Sequence, residues 1–145
     1  MKVVVDANVM VSGLRIGPQP PVQILDLWRE GAIDLLASEE TLAELARVLD
    51  YPKIRQLTSF SDDRVQHFLE EFRKETILVE VQTEVKVVVK DPTDTMFLAL
   101  AVAGCADCII TGDTKHLLPL KSYHGIPIVS PSTFLTLYHQ TADEE

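Results

Sequence analysis

The chain is short of positive charge, of cysteine and of long apolar runs, and each shortage narrows what it can be. Lysine and arginine number 13 against 22 aspartates and glutamates, a formal net charge of −9. That balance argues against gripping nucleic acid through a broad basic surface. It leaves room for a nuclease, because a cation held by acidic side chains brings its own positive charge. No apolar run nears the ~20 residues of a membrane span, so no membrane role is expected. One lysine and three valines precede Asp6, without the pattern of a secretory leader, so a cytoplasmic protein is expected.

The two cysteines, Cys105 and Cys108, form Cys-Ala-Asp-Cys. A redox pair with this spacing opens a helix, whose N-terminus lowers the thiol pKa. Here the pair falls where a helix ends (AVAG) and a strand begins (DCIIT). One such pair without a second cannot make a four-cysteine zinc site. Small buried residues are the better reading. At 145 residues and 46% hydrophobic content the chain has the size and core of one domain, expected over residues 1–140. The tail TADEE, 141–145, is expected to be disordered.

Short apolar runs alternate with longer helical patterns. Residues 3–5, 33–37, 76–81, 107–111 and 127–130 read as strands. Residues 20–31, 38–51, 61–75 and 92–104 have helical spacing, with Leu42, Leu45 and Leu49 on one stripe and Val65, Phe68, Leu69 and Phe72 on another. Ser38 and Ser61 are placed to cap helices, Gly31 and Gly104 to end them, and Pro131 to begin the last. Residues 53–58 add a short helical turn. The valine run at 85–89 fits an edge strand or an extended lead-in equally. Strands separated by helices predict an α/β fold with a mostly parallel central sheet and helices on both faces. Right-handed crossovers then bring the C-terminal ends of the strands to one edge, where such folds bind ligands.

Four carboxylates bear on that edge. Asp6 ends the first strand, and Asp113 follows the strand CIIT in TGD. Alone, either is a loop or cap residue. In DPTDTMFLALAVAG, Asp91 is placed to cap with Pro92 at the first helical position. Asp94 then shares a stripe with Phe97, Leu98 and Ala101. A favourable helix dipole accounts for an acid there, but not for one that faces inward. Glu44 flanks the Leu42/Leu45/Leu49 stripe; its plainer reading is a solvated residue paired with Arg47 at i+3. Clustered carboxylates raise one another's pKa unless a cation holds them. Hard divalent ions take oxygen ligands and promote in-line phosphodiester displacement.

The blocks VVVDANVMVSGL, ELARVL, DPTDTMFLALA and IITGDTKHL, in this order and spacing, resemble the PIN-domain nuclease pattern. They are most similar to the prokaryotic PIN proteins that serve as toxin components of toxin–antitoxin pairs. The resemblance spans residues 2–138. It implies a three-layer α/β/α sandwich and an acidic Mg2+ or Mn2+ site that cleaves single-stranded RNA. Carried over by position, Asp6, Glu44, Asp94 and Asp113 become the catalytic and metal-holding residues. Asn8 and Thr111 support them, with Asp91 as cap first and outer ligand second. The chain departs from the pattern at Thr95 and Met96, where a more polar pair often ending in lysine is usual; that touches a substrate contact rather than the metal. A cognate antitoxin protein is the implied partner. A homodimer would draw its face from Trp28 or from Val65, Phe68 and Phe72, which core packing explains equally well.

Two other classes compete. A phosphoryl-transfer enzyme with an aspartyl-phosphate would place a second aspartate two residues after Asp6 as general acid. Asn8 stands there and cannot supply that proton. The second is a catalytically silent PIN fold that binds RNA or protein, against which the complete set of four acids counts.

Overall fold

The computed structural model describes residues 1–82 and 92–144. Its first strand, β1 (Lys2–Val5), carries Val3, Val4 and Val5 buried, as a strand covered on both faces requires. The other strands are β2 (Asp34–Ala37), β3 (Ile77–Leu78), β4 (Cys108–Ile110), β5 (Ser122–Tyr123) and β6 (Ile126–Val129). They form one sheet in the order β3-β2-β1-β4-β6-β5. Val3 pairs in parallel with Leu35 of β2 on one side and with Cys108 of β4 on the other. Among the described strands only β5 runs antiparallel, against β6.

That order fixes where a ligand can sit. From β1 the chain moves outward to β2 and β3, then returns to the other side of β1 as β4. With right-handed crossovers, the reversal puts helices on both faces and yields the expected α/β/α sandwich. It also makes the boundary between β1 and β4 the topological switch point, where the crevice of such a sheet opens beyond the strands' C-terminal ends.

The helices are α1 (Ala7–Gly13), α2 (Pro20–Arg29), α3 (Glu39–Leu49), α4 (Pro52–Thr58), α5 (Asp62–Glu75), α6 (Pro92–Ala103) and α7 (Pro131–Glu144). Ser38 starts α3 with a capping box: its hydroxyl accepts from the Thr41 N–H while Thr41 Oγ1 accepts from the Ser38 N–H. Ser61 caps α5 by accepting from the Arg64 N–H. Leu42, Leu45, Leu49, Val65, Phe68 and Phe72 are buried, as their spacing predicts. Trp28 is core as well: its ring lies 5.1 Å from that of Phe72, and its N–H reaches the Glu75 carbonyl at 3.4 Å. The faces considered for a homodimer are therefore interior.

Several local expectations change. After β1 the chain turns directly into α1, a helix not read from the sequence, with Asp6 as its N-cap. A second strand, β5, precedes β6 through a two-residue turn at His124 and Gly125, both with positive φ, as a type I′ hairpin requires. Helix α6 ends at Gly104, yet the left-handed residue is Cys105 at φ 53. Its N–H bonds the Val102 carbonyl and that of Ala106 the Ala101 carbonyl, a Schellman ending. Gly104 is small for another reason: a Cβ there would stand 2.6 Å from Leu36 Cδ1. Finally, α7 runs to Glu144, through residues expected to be disordered. Cys108 is buried, but Cys105 is exposed rather than buried. The valine run at 85–89, with Lys90 and Asp91, lies outside the described residues.

Candidate active site

Asp6 is buried, 7% exposed, and its two carboxylate oxygens have separate tasks. Oδ1 accepts from the Val9 N–H at 2.9 Å and closes the first turn of α1. Oδ2 accepts from the hydroxyl of Thr111, itself fully buried at the end of β4. The Asp113 N–H donates in turn to Thr111 Oγ1 at 3.0 Å. A relay of hydrogen bonds thus ties the end of β1 to the loop after β4, across the switch point. Burial is the largest influence on Asp6 and pushes its pKa up. The hydrogen bonds from Thr111, Val9 and Gly112 oppose that push, and the negative charge of Asp113 adds to it.

Asp113 is tuned the other way. Burial is the largest single influence and resists its ionisation, but the backbone N–H groups of His116 and Lys115 oppose it, donating to Oδ1 at 3.0 and 2.9 Å. A side-chain hydrogen bond with Asp94 and the nearby His116 add to them, so the carboxyl ionises below its ordinary range. A hydrogen bond between two carboxyl groups needs a proton between them; a cation would serve the same end without one.

Asp94 stands in the first turn of α6. Glu44, on α3, is 9% exposed and held at both oxygens by Arg47, whose Nε lies at 3.0 Å and Nη2 at 2.6 Å. The ion pair read from the sequence forms, but the glutamate is buried rather than solvated. Asp6, Glu44, Asp94 and Asp113 all line one cavity of about 310 Å3, together with Asn8, Val48, Thr93, Phe97 and Gly112. Four elements contribute one acid each: the end of β1, the middle of α3, the start of α6 and the loop after β4. Thr93 was not singled out from the sequence, although its place beside Asp94 in DPTDT put it within reach.

The donor set suits a hard cation, since every polar side chain on the cavity wall offers oxygen. As the side chains stand, no three carboxylates, imidazoles or thiols among the described residues are close enough to share one ion. Mg2+ needs no such cage, because it is commonly held by one or two carboxylates and keeps several waters. The hydrogen-bonded pair Asp94 and Asp113 offers that number. Cys108 is no candidate ligand: burial pushes its thiol up to about 12.

Residues 2–115 match the family described as PIN domain. Over 122 residues the chain is 34% identical to an uncharacterised protein of Methanocaldococcus jannaschii, covering 83% of this chain and 76% of that protein. In three dimensions it is similar to a chain of the crystal structure of VapBC2 from Rickettsia felis bound to a DNA fragment from their promoter. The TM-score is 0.56 at 19% identity, over 90% of this chain and 98% of that one. A chain of FitAcB from Neisseria gonorrhoeae gives a TM-score of 0.51 at 19% identity, over 89% and 97%. At such identities the structural likeness speaks for the fold alone. Among the described residues, no helix is long and apolar enough to cross a membrane.

Proposed function

The chain belongs to the PIN-domain nuclease family, and from that premise we propose that it is a metal-dependent endoribonuclease that cleaves single-stranded RNA, the toxin of a type II toxin–antitoxin pair in the cytoplasm. One observation carries the reading: acids from four elements line a single cavity at the C-terminal edge of a parallel sheet. Mutual repulsion makes such a group costly unless it serves a cation.

Mg2+ or Mn2+, when bound, supplies the charge that activates water and stabilises the leaving oxygen of an in-line displacement. Asp6 and Asp94 hold it in this reading, while Glu44 and Asp113 complete the ligand set or orient the water. Thr111 fixes the carboxylate plane of Asp6, and the N–H groups of Lys115 and His116 fix that of Asp113. Asn8 offers an amide at the cavity wall. The antitoxin partner rests on the resemblance to toxin components, with which the likeness to VapBC2 and FitAcB is in keeping.

The test is cleavage of labelled single-stranded RNA by the full chain in EDTA and again after Mn2+ is restored. Cleavage should stop with the chelator and return with the metal. Cleavage that persists in EDTA would remove the metal from the mechanism. A full-length product under both conditions would favour the silent binding module.

A further inference from the structure

Resting on the ribonuclease reading, we propose that Tyr51 is a nucleobase-stacking subsite beyond the Glu44 wall of the carboxylate cavity, with Arg47 as the positioning residue that couples it to Glu44. The geometry starts on α3. Glu44 and Arg47 are spaced i, i+3 and so project along one face of that helix, and Tyr51 follows two residues beyond its end. Glu44 is buried in the cavity wall, and both its oxygens are held by Arg47. The same guanidinium lies 5.1 Å from the centroid of the Tyr51 ring, and its Nη1 contacts the Tyr51 hydroxyl. An aromatic ring therefore stands one guanidinium's width from a carboxylate of the candidate active site.

The ring is placed by the backbone. Helix α3 ends at Leu49, and the Tyr51 N–H still bonds the Val48 carbonyl at 3.2 Å. Pro52 then opens α4, which confines Tyr51 to the extended conformation it adopts, φ −63 and ψ 132. The residue is nevertheless 41% exposed. A large aromatic side chain partly open to solvent, with the Arg47 guanidinium over one face of its ring, leaves the other face for a single-stranded base to stack on. The chain's charge adds a reason: at −9 it has little basic surface for tracking a phosphate backbone. Stacking gives affinity that needs no positive charge, and every base has a face to offer. A base next to the cleaved phosphate is the natural occupant, because the ring and the carboxylate are that near.

The experiment measures binding of end-labelled single-stranded RNA octamers by anisotropy, with Ca2+ in place of Mn2+. One octamer is intact and the others carry a single abasic site at each position in turn. In the wild type, one abasic position should weaken binding about 10-fold, and Tyr51→Ala should weaken the intact octamer by the same factor. In Tyr51→Ala that position should become indifferent, and Tyr51→Phe, which keeps the ring, should stay within about 2-fold of wild type. In Mn2+, Tyr51→Ala should raise KM far more than it lowers kcat. Should Tyr51→Ala fail to fold, the abasic scan on the wild type still decides: no sensitive position means no stacking subsite. Unchanged RNA binding by Tyr51→Ala, or an abasic loss that persists in it, overturns the proposal and leaves Tyr51 to a protein contact. A wild type that binds no RNA overturns this proposal and the ribonuclease reading together. The expected binding pattern without cleavage in Mn2+ overturns the nuclease alone.

Discussion

At the scale of single residues, the two acids flanking the switch point are oppositely tuned, and that gives opposite consequences for stability. Asp6 ionises above its ordinary value because burial withdraws it from water. Its contribution is therefore full below the ordinary carboxylate range and is lost as pH rises through its folded value. Without metal, Asp6→Asn removes that loss. Its melting temperature should exceed the wild type's at about pH 8 by roughly 3 °C, closing towards about pH 4. Asp113 ionises below its ordinary value, despite burial, because of the N–H groups of His116 and Lys115 and the bond with Asp94. Its contribution is present above the ordinary range and is lost as pH falls through its folded value. Asp113→Asn should melt below the wild type at neutral pH and converge with it in acid. Thermal melts in chelator across this pH range check both signs; an Asp6→Asn curve that falls below the wild type at alkaline pH contradicts the burial argument. The placement of Asp6 and Asp113 at strand ends was legible from the apolar runs before them. The grip of Arg47 on both oxygens of Glu44 was legible only as a spacing, because burial of the glutamate depends on how α3 packs against the sheet and α6.

At the scale of elements, close packing between α1 and α2 explains one residue of the opening motif. A Cβ added to Gly13 would meet Leu25 Cδ1 at 2.7 Å and the Pro21 carbonyl oxygen at 2.8 Å. The side chain can give way, but the backbone oxygen cannot without moving α2. Gly13→Ala should destabilise the protein by about 1–3 kcal/mol, the usual cost of overpacking, read from urea denaturation midpoints. A loss under 0.5 kcal/mol, the usual ceiling for unconstrained surface sites, would mean the helices separate freely. Helix α1 itself was hidden in the sequence. Its valines and its start straight after a strand read as a strand giving way to a loop, and only the Asp6 cap reveals the turn. Strand β5 was hidden because a two-residue strand has no periodicity, and because the positive φ of its turn falls partly on a histidine. The long strands and helices were legible, since buried valine and isoleucine runs and leucine stripes have one comfortable arrangement each. Strand β3, Ile77–Leu78, is shorter than the apolar run at 76–81, although the Val79 N–H still bonds the Ala37 carbonyl at 2.7 Å.

At the scale of the whole molecule, the negative charge is part of the account. On the proposed reading, a chain at −9 binds RNA through a metal, a few local cations and stacking rather than with a basic face. Arg15, Lys115 and His116 are exposed near the motif loops, and Lys90 lies outside the described residues. The salt dependence of RNA binding should accordingly be shallow; a slope implying about six or more released counterions would point to a basic partner or a dimer groove. The central claim is that Asp6 belongs to a metal-dependent cleavage site, and it is tested most directly by the rate at which Asp6→Asn cleaves single-stranded RNA at saturating Mn2+, beside the wild type. The substitution keeps shape and removes one charge, and the melts described above show whether the fold survives. The account predicts a loss of about 100-fold or more, equivalent to ~2.7 kcal/mol of transition-state stabilisation. A folded Asp6→Asn protein that cleaves within a few-fold of the wild type would contradict it.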